Sequence, residues 1–254
     1  MDRELLEQAA AWIAESRRPV AFTGAGVSRE SGIPTFREAT TGFWERYDPY
    51  ELATVEGFLK NPKLVWEWYA WRRKLIRETE PNPGHAALAG LENLLPGLVL
   101  ITQNVDNLHR RAGSRGIIEL HGNITRVKCF KEGTLYEDWS DENYRGEVPP
   151  RCKACYSYLR PDVVWFGESL PARALEEAFN SAENCDLMLV VGTSGLVQPA
   201  ASLPGMARGR GARIIEVNPS PSEITPSAHL FLQGKSGEVL PEIVARVGEI
   251  KSKG

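Results

Sequence analysis

Long apolar runs are missing from this chain. None of its 254 residues fall in a stretch approaching the roughly 20 consecutive apolar residues that a membrane-spanning helix needs, so a transmembrane role is not expected. The opening residues Met1-Asp2-Arg3-Glu4 lack the apolar core of a signal peptide, which makes a cytoplasmic location the expectation. Excess positive charge is missing too. With 30 Lys and Arg against 33 Asp and Glu, the net charge is -3, and neither nucleic-acid nor membrane-surface binding is indicated. Cysteine is scarce. Of the four present, Cys129, Cys152 and Cys155 cluster while Cys185 stands apart in an apolar run, a pattern that favours a metal site in a reducing compartment over disulfides.

What remains is the balance of an ordinary globular protein, 42% hydrophobic and 25% charged, long enough for one large domain or one domain with an insertion. Leu5, Leu6, Ala9, Trp12 and Ile13 recur at helical spacing, so residues 2 to 16 are expected to form an amphipathic helix ended by Pro19. Short apolar strands follow at Pro19 to Thr23, Leu98 to Thr102, Asp186 to Val191 and Arg213 to Val217, with helix-like segments between them. That alternation predicts an α/β fold with a doubly wound, parallel, Rossmann-like sheet. Residues 36–80 and 122–162 break the rhythm and read as a smaller inserted domain, helical in the first part and zinc-ribbon-like in the second. Residues 1–35, 81–121 and 163–254 are assigned to the sheet domain.

Several polar clusters stand at strand ends. Gly24-Ala25-Gly26-Val27-Ser28 follows the first strand, and glycine there lets the main chain approach a diphosphate closely, although such a turn alone is as readily a plain chain reversal. Gln103, Asn104 and Asp106 follow the second strand, where amides and a carboxylate can hold a polar ligand or, equally, cap the next helix. Gly192-Thr193-Ser194 and Asn218 follow two more strands, at the edge where such sheets bind ligands. Taken singly, each is an ordinary strand exit. His121, in Glu119-Leu120-His121-Gly122-Asn123-Ile124-Thr125, stands beside a glycine turn, and an imidazole with its ordinary pKa near ~6.5 accepts a proton around neutral pH. A lone histidine is more often a satisfied core or surface residue, and His85, His109 and His229 have no comparable setting.

Taken together, these motifs, with Ser31-Gly32-Ile33-Pro34-Thr35-Phe36-Arg37 and Val163-Val164-Trp165-Phe166-Gly167-Glu168, resemble the sirtuin family of NAD-dependent protein deacylases from about residue 20 to about residue 240. The resemblance implies that NAD is consumed as co-substrate. It assigns cofactor contacts to Gly24, Ala25, Gly26, Ser28, Ile33, Phe36, Arg37, Gln103, Asn104, Asp106, Gly192, Thr193, Ser194 and Asn218, with Ser236 closing over the adenine. Asp106 would accept from the nicotinamide amide, Asn104 would orient the ribose or a water, and His121 would act as general base towards the ribose hydroxyls. The acyl oxygen of an acylated lysine would attack the anomeric carbon and displace nicotinamide, giving free lysine and an O-acyl-ADP-ribose. Acylated-lysine proteins or peptides are therefore the implied partners. Val164, Trp165, Phe166 and Gly167 would pair with the extended substrate, and Val197 would join them around the lysine stem, although an apolar run of this kind is otherwise simply core.

Tyr69 and Arg72, three apart on a predicted helix, share a face, and a hydroxyl beside a guanidinium can bind a carboxylate. Without the family context this is an aromatic helix face crossed by an Arg stem. Tyr-x-x-Arg resembles the signature of the sirtuin subgroup that removes succinyl and malonyl groups. The loop Glu38 to Trp44 is one residue longer than is usual there, which leaves deacetylation and longer acyl chains open. Sirtuins carry two Cys-x-x-Cys pairs holding a structural zinc. Here the second pair, Cys152 and Cys155, is intact, and Glu132 stands where the partner of Cys129 is expected. Zinc with Glu132, zinc with another ligand or water, and a lapsed site are the three arrangements open, because structural zinc favours sulfur and nitrogen. Mono-ADP-ribosyl transfer or NAD hydrolysis, and a non-catalytic NAD-sensing module, are the competing readings. An ordinary dehydrogenase is disfavoured because the Gly-x-Gly-x-x-Gly order is lacking.

Overall fold

The computed structural model describes residues 2–33, 48–137 and 139–253. Its centre is a six-stranded sheet of β1 (Pro19–Thr23), β2 (Val99–Thr102), β3 (Ile117–Glu119), β7 (Leu187–Val191), β8 (Arg213–Asn218) and β9 (Leu230–Gln233). Every pairing is parallel, in the spatial order β3-β2-β1-β7-β8-β9. The expected doubly wound Rossmann-like sheet is present. β1 and β7 are buried at every position, which is why they read as unbroken apolar runs rather than alternating ones.

Helices cover both faces, and two short ones, α2 (Gly26–Arg29) and α7 (Leu108–Arg111), follow β1 and β2. α1 (Arg3–Glu15), α6 (Pro83–Leu94) and α10 (Ser236–Lys253) close one side around Ile13, Leu88, Leu91 and Ile243, and α8 (Ala172–Asn184) and α9 (Leu203–Gly209) close the other around Phe22, Met188 and Ile214. α1 begins where it does because Asp2 caps it, its carboxylate accepting from the Glu4 and Leu5 N–H groups, a contact worth about 1 kcal/mol. None of the described helices is long and apolar enough to cross a membrane.

A second, antiparallel sheet of β4 (Gly122–Cys129), β5 (Leu135–Tyr136) and β6 (Leu159–Val163) has the order β5-β4-β6. α3 (Pro49–Leu52), α4 (Val55–Lys60) and α5 (Pro62–Glu78) pack beside it around Phe58, Trp68, Tyr69, Ile124 and Trp165. α5 is set in register by Asn61, whose side chain accepts from the Leu64 N–H, and by Pro62 in its first turn.

The order of the large sheet locates the crevice. From β1 the chain winds outward to β2 and β3, and after the small sheet it winds the other way through β7, β8 and β9. The reversal falls between β1 and β7, so the loops leaving their carboxyl ends part and leave the opening where open α/β sheets take ligands.

Candidate active site

The loops after β1 and β7 touch main chain to main chain. The Gly24 N–H donates to the Val191 carbonyl at 3.0 Å and the Gly26 N–H to the Gly192 carbonyl at 2.8 Å. A Cβ on Gly26 would stand 2.7 Å from the Gly192 oxygen. One on Gly192, whose φ is +61°, would stand 2.5 Å from the Val27 nitrogen. No side chain fits between these loops, and bare main chain lines that end of the crevice. Ala25 is exposed, Ile33 is buried and Ser194 is exposed. Phe36 and Arg37, with the loop from Glu38 to Trp44, lie outside the described residues.

β2 delivers the next group. Gln103 donates its side-chain amide to Thr193 Oγ1 at 2.9 Å, and Asn218 donates to the Thr193 carbonyl at 3.0 Å, so exits from three strands converge on Thr193. Asn104 is buried and donates to the Gly24 carbonyl and to Ser28 Oγ, both at 3.1 Å. Asp106 is 5% exposed. Its Oδ1 accepts from the Leu108 N–H at 2.9 Å, so the helix-capping reading holds for one oxygen of this carboxylate. Burial raises its pKa above the usual carboxylate value, against the Leu108 and Ser28 hydrogen bonds and the Arg72 charge, which pull it down.

His121 lies at the passage from the large sheet to the small one, half-buried. Its Nδ1 stands 2.9 Å from the Gln103 carbonyl oxygen. A carbonyl only accepts, so Nδ1 carries the proton and Nε2 is the basic nitrogen. Burial lowers the imidazole pKa and outweighs the Gln103 hydrogen bond, which raises it. The neutral form is favoured accordingly.

The segment expected to pair with substrate, residues 164–167, follows β6. The Val164 N–H donates to the His121 carbonyl, the Phe166 N–H to the Ala53 carbonyl, both at 2.9 Å, and the Trp165 N–H to Glu168 Oε2 at 2.8 Å. All three N–H groups are therefore committed within the chain. Trp165 is buried while Phe166 and Val197 are about half exposed, and Gly167 turns the chain at φ +84°. Arg160 fixes that turn, lying 3.3 Å over the Trp165 ring and donating to Glu168 Oε2 at 2.8 Å.

Tyr69 and Arg72 share one buried face of α5 as their spacing predicts. The Trp165 indole N–H donates to the Tyr69 oxygen at 2.9 Å, and burial pushes the phenol up to about 12, so its own hydrogen remains a donor. The Arg72 guanidinium lies 6.0 Å from the Tyr69 ring centre and 4.9 Å from that of Trp68. Burial lowers its pKa, and the charge of Asp106 acts the other way. Arginine keeps its charge even so.

Residues at the site that carried no local signal are now visible. His85 caps α6 together with Asn82, and its Nε2 lies 3.2 Å from Ser28 Oγ, the same hydroxyl that Asn104 reaches. The His109 ring lies 4.8 Å from it, tilted by 59°, and meets Thr23 Oγ1 at 3.0 Å. Burial depresses both, to about 4 for His85 and about 3 for His109. Ser236 is buried, and its hydroxyl donates to Glu30 Oε2 at 2.8 Å, as does the Gly237 N–H.

The profile of the Sir2 family matches residues 24–199 of the chain. The chain belongs to the Sir2 family. A Thermococcus kodakarensis protein called NAD-dependent protein deacylase is 53% identical to this Sir2 protein over 253 residues, 98% of each chain. Among solved structures, a Sir2 homologue in complex with NAD superposes with a TM-score of 0.88 at 48% identity, covering 99% of this chain and 95% of that one. A Sir2 protein bound to a myristoylated histone peptide superposes at 0.77 with 38% identity, covering 100% of both chains.

The cysteines of this Sir2 protein gather as their spacing predicts. Ligand atoms of Cys129, Cys152 and Cys155 all lie within 4.8 Å of one another, with Cys129 and Cys155 sulfurs 3.4 Å apart. Three thiols converging at that range suit a zinc ion. The Glu132 N–H donates to Cys129 Sγ at 3.3 Å, but the Glu132 carboxylate lies outside the group and pairs with Lys131 at 3.6 Å. Tyr136 Oη instead stands 3.4 Å from Cys152 Sγ. Cys185 is a buried thiol raised to about 11 by burial, far from any reactive role.

Proposed function

We propose that this Sir2 protein is an NAD-dependent protein-lysine deacylase whose acyl pocket takes succinyl and malonyl groups as well as acetyl. The observation that carries the reading is the convergence of a neutral, tautomer-fixed imidazole, a buried amide and carboxylate, and a bare glycine-lined crevice at the reversal point of the sheet. Its relatives, among them a protein called NAD-dependent protein deacylase and Sir2 proteins holding NAD or a myristoylated peptide, support it.

The crevice fits NAD at several points. Gly24, Ala25, Gly26 and Ser28 would line the diphosphate, with Ile33, Phe36 and Arg37 in the covering loop. Thr193, held by Gln103 and Asn218, would face the adenosine side beside Gly192, Ser194 and Ser236. Bound NAD supplies an electrophilic anomeric carbon and a nicotinamide leaving group. Asp106, held by the Leu108 N–H at Oδ1 and by Ser28, would accept the nicotinamide amide, and Asn104, anchored at Gly24 and Ser28, would orient the ribose. His121 would take a ribose hydroxyl proton at Nε2, with the Gln103 carbonyl holding Nδ1–H in place.

An acylated lysine would enter along Val164, Trp165, Phe166 and Gly167, opposite Val197. Because the N–H groups of residues 164 to 166 are already bonded, an added strand pairs with this segment through carbonyls and through Gly167. A succinyl carboxylate would meet Arg72 in two-pronged fashion, with the Tyr69 hydroxyl beside it. One water is consumed, and the products are free lysine, nicotinamide and an O-acyl-ADP-ribose.

We divide the chain functionally as residues 1–35, 81–121 and 163–254, which would bind NAD, and residues 36–80 and 122–162, which would shape the acyl pocket and hold a structural zinc through Cys129, Cys152 and Cys155. Four unpaired cysteines support a reducing, cytoplasmic setting. Incubating the protein with NAD and acetyl-, succinyl- and malonyl-lysine peptides tests the reading by mass spectrometry. O-acyl-ADP-ribose formed in step with free peptide is the expected result, and nicotinamide release without deacylated peptide would overturn it.

A further inference from the structure

The chain passes from the large sheet to the small one at His121-Gly122 and returns at Val163-Val164, and these two crossings lie side by side. Gly122 pairs with Val163 across β4 and β6, and the Val164 N–H bonds the His121 carbonyl at 2.9 Å. Gly122 has a φ of +79°, and a Cβ there would stand 2.2 Å from the Asp162 carbonyl oxygen. Whatever holds the two crossings together therefore also sets the main chain of His121.

Arg126 binds across them. Its Nη2 lies 2.8 Å from Glu119 Oε2 on β3, in the large sheet, and 2.9 Å from Asp162 Oδ2 on β6, in the small one, while its Nε donates to the same Asp162 oxygen at 3.0 Å. The pairing of β4 with β6 shifts register between Asn123 and Val127. Such a shift takes a side chain out of strict alternation, and it falls on the segment carrying Arg126. Burial works against the Arg126 charge, but Glu119 and Asp162 outweigh it and raise its pKa. The carboxylate side chains are 13% and 12% exposed, so the cluster is not the solvated pair that contributes next to nothing. Lys128 Nζ holds the other Asp162 oxygen at 3.2 Å, Arg110 stands 3.8 Å from Glu119, and buried Asn123 donates to Glu119 at 2.8 Å and to Asn107 at 3.0 Å.

We propose that Arg126 is a positioning residue: by holding Glu119 of the large sheet and Asp162 of the small sheet on one guanidinium, it fixes the double crossing and so the placement of His121 beside the substrate segment that begins at Val163. The inference rests on the reading of His121 as the base. Arg126 acts through the main chain. Without its guanidinium, two part-buried carboxylates face the crossing, and among the described residues Lys128 and the more distant Arg110 remain to offset them.

The test uses the full chain carrying Arg126→Met, Arg126→Lys or Glu119→Gln. Steady-state kinetics with an acyl-lysine peptide and NAD are measured alongside the ring resonances of His121 in histidine-labelled protein, assigned by their loss in His121→Ala. Misplacing a base by a fraction of an ångström costs roughly tenfold or more in kcat. That loss is expected for Arg126→Met, with the KM for NAD within about twofold of the parent, a displaced His121 ring signal, and recovery of most of the loss by Arg126→Lys. Unchanged kcat together with an unmoved His121 signal in a folded Arg126→Met would overturn the proposal. Should that variant fail to fold, Glu119→Gln keeps a hydrogen-bond acceptor and removes one charge. A smaller loss with a moved ring signal then supports the clasp, and neither change overturns it. Full-speed turnover by His121→Ala would instead defeat the reading of His121 as base, and the ring signal would still decide the role of Arg126.

Discussion

His121 Nδ1 lies 2.9 Å from the main-chain oxygen of Gln103, and that one contact decides which imidazole nitrogen is basic. Because burial lowers the pKa of this ring, its base form persists to a lower pH than that of a free histidine near ~6.5. The acid limb of kcat/KM should accordingly fall below that value, activity being lost as pH drops through the folded pKa and Nε2 takes up a proton. A pH–rate profile checks this, and His121→Ala should lower kcat by ~10²–10⁴-fold.

Arg72→Met should lower kcat/KM for a succinyl-lysine peptide by ~10–150-fold, the equivalent of the roughly 1.5–3 kcal/mol of a charge-assisted hydrogen bond, while changing acetyl-lysine turnover far less. Side-by-side kinetics on the two peptides are the measurement. Equal losses on both would remove the carboxylate-binding role.

Stability should decline in mild acid because of His85 and His109. Both are buried and neutral, with pKa values depressed to about 4 and about 3, whereas in the unfolded chain they take up protons near ~6.5. The unfolded state binds more protons throughout that window, so their contribution is present above ~6.5 and is lost progressively as pH falls towards the folded values. Urea midpoints measured across this range should show the slope, and His109→Gln, which does not titrate, should flatten part of it.

At the metal module, Glu132→Cys should slow zinc release to a colorimetric chelator, because a fourth thiolate would join Cys129, Cys152 and Cys155. Cys152→Ser should lower both the zinc content of the purified protein and its melting temperature. A zinc content unaffected by Cys152→Ser would mean that the three thiols hold no metal.

Gly192→Ala places a methyl group at positive φ and against the Val27 nitrogen. Backbone strain of this kind costs about 1–3 kcal/mol before the clash is counted. A drop in melting temperature accompanied by weaker NAD binding in calorimetry is the expected result.

Much of the architecture was legible because it rests on local apolar pattern. β1 falls where expected, β2, β7 and β8 lie within a residue of their expected ends, and α1 spans residues 3 to 15 within the expected 2 to 16. β9 is not legible in that pattern: its four residues, Leu230–Gln233, are too short to show a period. The helix around Tyr69 and Arg72 was visible from its aromatic spacing, and the three cysteines from theirs. The contacts that assemble the site were not visible. His85 with Ser28, Glu30 with Ser236, and Arg126 with Glu119 and Asp162 join side chains that no window of sequence holds together or pairs by period. Glu132 shows the opposite limit: its position in the motif was plain, yet its carboxylate turns to Lys131.

The committed N–H groups of Val164, Trp165 and Phe166 bear on which target lysines are open to the enzyme. Under the proposed pairing, a polypeptide laid along these residues brings most of the donors itself. Proline brings none. Acylated lysines flanked by proline at the pairing position would therefore escape removal, however well their acyl group suited the pocket.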